Sequence, residues 1–101
     1  MYLNKHPTSS DLEYIESWLQ QEYTTYGEGF YSNWDSILKC FHEKRLVIFG
    51  VNNKAVGFIT WYDGTVQRNI QIMAVHPQFR NKGFGRKFHK EFEELSRGQG
   101  F

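Results

Sequence analysis

The segment Val75-His76-Pro77-Gln78-Phe79-Arg80-Asn81-Lys82-Gly83-Phe84-Gly85-Arg86 gathers residue types suited to holding an anion. A β-rich run ends at Pro77, a loop with two glycines follows, and a helical pattern opens at about Gly85. In that arrangement the free N–H groups of a helix start and the positive end of its dipole converge on a negative group, and the ligand they suit is phosphate. Gly83 and Gly85 are expected to let the main chain approach that ligand and to take backbone angles closed to other residues. From Gln78 to Lys90 the chain carries Arg80, Lys82, Arg86, Lys87 and Lys90 and no carboxylate, whereas Glu91, Glu93 and Glu94 follow in the second half of the helix. Cations near a helix N-terminus and anions towards its C-terminus oppose the macrodipole, each by roughly 0.3–1 kcal/mol when exposed. A local rule broken in this direction marks a functional site whose ligand supplies the missing negative charge.

Two common phosphate loops are excluded by spacing. A Walker A loop needs G-x-x-x-x-G-K-[ST], and nothing of that form follows Gly83. A dinucleotide fingerprint needs a third glycine where this chain has Phe88, and a βαβ unit where the pattern here reads as antiparallel. Other chemistry-bearing residues lack partners. Cys40 lies beside an apolar helical stripe with no identifiable base and reads as a buried or half-buried spectator thiol. His6, His42 and His89 are scattered without ligand spacing, so no metal is expected, and His76 reads as the variable residue of a strand-ending turn. Tyr23, Tyr26, Phe30, Tyr31 and Trp34 are expected in core and lid packing around a loop.

These residues need elements to position them. Ser10 and Glu13 form an S-x-x-E capping box, which starts a helix whose Leu12, Ile15, Leu19 and Tyr23 share an apolar face as far as Thr24 and Thr25. Tyr2 to His6 reads as a short strand before it. Trp34, Ile37, Leu38 and Phe41 make a second helical stripe, capped by Ser32 or Asn33. Leu46 to Val51 is a continuous β-rich run, as expected of a strand covered on both faces. After a turn at Asn52, Asn53 and Lys54, Ala55 to Tyr62 reads as a strand, and Asp63-Gly64 as a hairpin leading to a third, Val66 to Val75. On that last strand Val66, Ile70 and Ile72 are expected on one face and Gln67, Asn69 and Gln71 on the other. A closing helix from about Gly85 to Ser96 would turn Phe88, Phe92 and Leu95 inward and stop at Gly98.

The Arg80-x-x-Gly83-x-Gly85 pattern after the Val75-His76-Pro77 step resembles the GNAT superfamily of acyl-CoA N-acyltransferases, whose [QR]-x-x-G-x-[GA] loop binds the pyrophosphate of acetyl-CoA. The element order is similar too: an α/β (α+β) fold comprising the N-terminal portion of that family's fold, with a strand, two helices, a three-stranded antiparallel meander, the glycine loop and a helix. The resemblance implies acetyl-CoA as co-substrate. Main-chain groups of Met73, Ala74 and Val75, at a splay or bulge in the strand, would pair with the pantetheine arm. Amides of Arg80, Asn81, Lys82, Gly83, Phe84, Gly85 and Arg86 would hold the pyrophosphate. The implied reaction is direct acyl transfer to a primary amine, small molecule or peptide, and the loop between the first two helices would wall the acceptor groove. Many relatives place a glutamate base where this chain has Gln71, and their tyrosine acid lies beyond the similar region, so no catalytic residue is assigned. The family would begin its fifth strand where this chain reaches Gly98-Gln99-Gly100-Phe101. The chain is therefore expected to be a fragment, an early-terminated relative, or one half completed by another chain. The alternative function is a catalytically inactive module of the same fold that binds CoA or a protein partner.

Composition bounds these readings. A chain of 101 residues with 40% hydrophobic and 18% aromatic side chains reads as one folded domain spanning 1–101. Twelve basic and eleven acidic residues leave a net charge of +1, so neither nucleic acid nor membrane is expected as a partner. The absence of any long apolar run or signal segment, and one cysteine in all, suit the cytoplasm. An uncovered edge on the last strand invites pairing with another chain, so a homodimer or larger association is expected.

Overall fold

A computed structural model describes residues 2–101. The elements run β1 (Tyr2–Asn4), α1 (Ser9–Tyr26), a 3-10 turn (Phe30–Asn33), α2 (Trp34–His42), β2 (Leu46–Val51), β3 (Lys54–Asp63), β4 (Arg68–Val75), a second 3-10 turn (Pro77–Phe79) and α3 (Phe84–Gly98). The sheet is larger than the expected meander, because β1 joins it: four strands in the order β1-β2-β3-β4, every pair antiparallel. This is the mixed α/β architecture read from the sequence.

Helices cover both faces. Leu12, Ile15, Trp18 and Leu19 of α1 and Ile37 of α2 pack with Leu46, Ile48, Phe58, Ile72 and Ala74 of the sheet. On the other side Phe88 and Phe92 of α3 pack with Val47, Phe49, Val56, Ile59 and Trp61. The alternation of Leu46 and Ile48 against Val47 and Phe49 explains why β2 is apolar throughout. Gly57 is where α3 meets the sheet most closely: a Cβ there would stand 2.6 Å from the Phe88 ring and 2.8 Å from the Ala74 carbonyl oxygen.

Several local expectations are corrected. The cap of α1 is Thr8 with Asp11, two residues upstream of the Ser10–Glu13 pair: the Asp11 carboxylate accepts from the Thr8 N–H at 2.8 Å, and Thr8 Oγ1 accepts from the Asp11 N–H at 3.4 Å. The chemistry is the same, and Thr8 holds it because its backbone is extended while Ser9 and Ser10 are already helical. Helix α1 runs past Thr24 and Thr25 to a left-handed cap at Gly27, and Trp18 and Glu22 are buried on it while Tyr23 is exposed. Asn33 caps α2 with its backbone and makes no side-chain cap bond. Gly98 lies inside the last turn of α3, so it does not end that helix.

Strand β4 differs most. It begins at Arg68, where Asp63 pairs with Arg68 across a loop closed by a 2.7 Å bond from the Gly64 N–H to the Gln67 carbonyl. Val66 lies in that loop, 80% exposed. The register steps from Thr60↔Ile72 to Trp61↔Ile70, which leaves Gln71 as an extra residue. Such a bulge breaks the two-residue alternation. Ile70 therefore faces α3, while Gln71 and Ile72 both turn towards α1 and α2. The irregularity falls at Gln71, and Met73 to Val75 pair regularly with Ile59 to Gly57.

Candidate functional site

Strand β4 ends in the turn that leads to the glycine loop. His76 Nδ1 accepts from the Gln78 N–H at 3.1 Å and so caps the Pro77–Phe79 turn, a structural task beyond that of a variable residue. Its ring lies 5.1 Å from Trp18, and burial, followed by the charge of Arg80, holds its pKa below the ordinary value. Beyond Arg80 the main chain twice enters the left-handed region, at Asn81 (φ 63°) and Gly83 (φ 82°). Gly83 is the N-cap of α3 and offers no side chain to it. Gly85, in contrast, has no left-handed angle; a Cβ there would lie 3.9 Å from the side chains of Met73 and Val75, in ordinary contact.

The amides of Asn81, Lys82, Gly83, Phe84, Gly85 and Arg86 have no acceptor among the described residues. The first turn of a helix leaves its N–H groups free, and two left-handed residues just before it curl further amides into a nest. Lys82 lies 5.8 Å over the Phe79 ring and Lys87 5.5 Å over the Phe84 ring, so both cations flank this turn. The first turn of α3 carries no acid. Arrangement and charge together suit a phosphate or pyrophosphate.

Beside the loop lies a cleft of about 720 Å³ lined by Glu22, Tyr26, Glu28, Gly29 and Phe30 from the end of α1 and its following loop, by Met73, Ala74 and Val75, and by Pro77, Arg80 and Asn81. Of the ten residues expected to bind cofactor, five (Met73, Ala74, Val75, Arg80 and Asn81) thus line one cleft. Lys82, Gly83, Phe84, Gly85 and Arg86 form the adjoining loop and helix start. The Arg80 side chain points inward: its Nε donates to the Val75 carbonyl at 2.9 Å, and its guanidinium pairs with Glu22. Tyr26 and Tyr23 are exposed around this cleft and do not join the core, contrary to expectation. Glu22 was missed by motif reasoning. Its signal was present all the same, because Ile15, Leu19 and Glu22 share one helical face and a charge on an apolar stripe needs a reason.

Gln71 lies elsewhere. Its side-chain oxygen accepts from the Cys40 thiol at 3.3 Å, in a small recess shared with Ser36, Lys39, Arg45 and Tyr62. Cys40 is buried, as expected. Among the described residues no group of three or more His, Cys, Asp or Glu side chains is placed to hold a metal, and no helix is long and apolar enough to cross a membrane.

The family model described as the acetyltransferase (GNAT) family matches residues 12–101. Among solved structures the chain is similar to a GNAT-family acetyltransferase from Bacillus cereus, with 22% identity, a TM-score of 0.65, and coverage of 86% of this chain and 58% of that one. It is also similar to a GCN5-related N-acetyltransferase from Kribbella flavida, with 18% identity, a TM-score of 0.64, and coverage of 99% of this chain and 28% of that one. At these identities the likeness concerns the fold. The chain spans less than two thirds of the length of either structure. No curated protein matches it.

Proposed function

The chain belongs to the GNAT acetyltransferase family, and from that premise we propose that it binds an acyl-CoA, acetyl-CoA in the first instance, and passes the acyl group directly to a primary amine. The observation that carries this reading is the run of six unpaired amides from Asn81 to Arg86 at the start of α3, flanked by Lys82 and Lys87. These residues would hold the pyrophosphate. The N–H and C=O groups on the outer side of β4 at Met73 to Val75, which β3 leaves free, suit an amide-bearing arm laid along the strand. The co-substrate supplies an activated thioester carbonyl: the amine nitrogen forms a C–N bond, the C–S bond breaks, and the proton lost by the nitrogen balances the thiolate. No covalent intermediate on the protein is needed. Arg80, Glu22 and the Met73–Val75 segment would fix the geometry of attack.

The proposal includes a cytosolic setting and self-association along the outer edge of β4. A second reading, a CoA-binding module without turnover, is favoured by one feature: the position used by a glutamate base in relatives is Gln71, whose oxygen is already engaged by Cys40.

Thermal unfolding tests the carrier site. Acetyl-CoA at 100 times its dissociation constant stabilises by about 2.7 kcal/mol, and in a domain this small each kcal/mol moves Tm by roughly 4–8 °C. A rise of more than ~10 °C is expected, and no rise at millimolar acetyl-CoA sinks both readings. Gly85→Glu would direct bulk and negative charge towards Met73 and Val75 beside the free amides, so it should abolish the rise; a normal rise refutes the loop assignment. Thiol release across a broad amine panel then separates enzyme from module.

A further inference from the structure

Glu22 has no binding partner assigned to it by the carrier site, yet it is 5% exposed at the wall of the cleft. One carboxylate oxygen is paired with Arg80, and the other, Oε1, is buried without a partner. Across from Oε1 lies Gly29, with φ at 127°; a Cβ there would stand 2.7 Å from the oxygen, so only glycine leaves it uncrowded. Arg80 in turn belongs by sequence to the anion loop, but its guanidinium is engaged inside the cleft by Glu22 and the Val75 carbonyl.

We propose that Glu22 is the anion that receives the acceptor's ammonium group, taking up that cation when Arg80 turns from its carboxylate to the phosphates of the acyl carrier. This rests on the acyl-carrier reading above. A pyrophosphate concentrates more negative charge than one carboxylate and competes for the same guanidinium. Once Arg80 turns away, Glu22 becomes a buried charge without a counter-ion, which is a costly state and one that a cation relieves. The reaction itself brings a cation, since an aliphatic amine enters from water as ammonium. Tyr26, Phe30, Met73 and Pro77 line the same cleft and suit its hydrocarbon stem. The ammonium releases a proton to water before its nitrogen attacks. The chemical class selected is a primary ammonium on an aliphatic chain, and carrier and acceptor must strengthen each other's binding by the same factor.

The test uses CoA, which binds without turnover, and n-butylamine, with 1-butanol as the uncharged match. The amine's dissociation constant is followed by NMR titration with and without saturating CoA. CoA is expected to tighten n-butylamine binding at least tenfold and to leave 1-butanol unaffected, and Glu22→Gln should remove the gain while keeping the CoA-induced rise in Tm. Gly29→Ala, whose methyl would crowd Oε1 without removing the charge, should reduce the gain as well and serves if Glu22→Gln folds poorly. The proposal is overturned if CoA binds and amine affinity does not change, if 1-butanol gains equally, or if the gain survives both substitutions. Failure of CoA to raise Tm in the unsubstituted protein would instead remove the carrier reading on which the proposal stands.

Discussion

His76 ties the end of β4 to pH through a single nitrogen. Its Nδ1 accepts the Gln78 N–H, and its ring is packed against Trp18 and Phe79. Burial, then Arg80, lowers its pKa from 6.5, with Glu22 opposing. The folded protein therefore binds fewer protons here than the unfolded chain does, and stability rises with pH across the interval between the two values. His76 stabilises the fold fully above about 6.5 and loses this contribution as pH falls towards the lowered value. Tm should fall between pH 7 and 5.5, and His76→Asn, which keeps a capping acceptor, should flatten that fall; an unchanged slope contradicts the assignment. Sequence reasoning located this residue correctly at the strand end and missed its task, because capping and ring packing depend on Trp18, which is 58 positions away in the chain.

At the scale of elements, the start of α1 shows how far local chemistry reads. A capping box was legible; its register was not, because Thr8, Ser9 and Ser10 all offer hydroxyls and only the backbone conformation selects one. Thr8→Ala should cost about 0.5–2 kcal/mol, lowering Tm by roughly 4–8 °C per kcal/mol, whereas Ser10→Ala should stay within about 0.5 kcal/mol. Equal losses from the two would refute the Thr8 cap. Strand β4 shows the opposite limit. Its apolar alternation pointed to a regular strand from Val66, but the extra residue at Gln71 reverses the faces beyond it, and nothing in the residue types marks that step. Because of the bulge Gln71 reaches Cys40, while Ile72 still enters the core beneath α1.

Across the whole molecule, the Cα radius of gyration is 13.1 Å, close to the ~13 Å of a compact 100-residue domain. Both faces of the sheet are covered, and β4 is its edge, paired to β3 alone. An unpaired edge is a template for another strand, and the Met73–Val75 part of it is the stretch proposed to hold the carrier's arm. Light scattering at micromolar concentration should show a dimer or larger species; a monodisperse monomer refutes self-association. If the carrier's arm and a second chain compete for this edge, acetyl-CoA will shift the distribution towards smaller species.

The sequence by itself determined the element types, the four-membered run of glycine-loop chemistry from Arg80 to Gly83, the buried character of β2 and the family, because each depends on short-range periodicity or on adjacent residues. Only the tertiary structure decided where β4 changes face, that β1 completes the sheet, and that Arg80 turns back onto Glu22. Those outcomes come from contacts between residues tens of positions apart. The cleft was half legible for the same reason: its β4 and loop wall is one continuous segment, and its acidic wall comes from the end of a helix about 50 residues earlier.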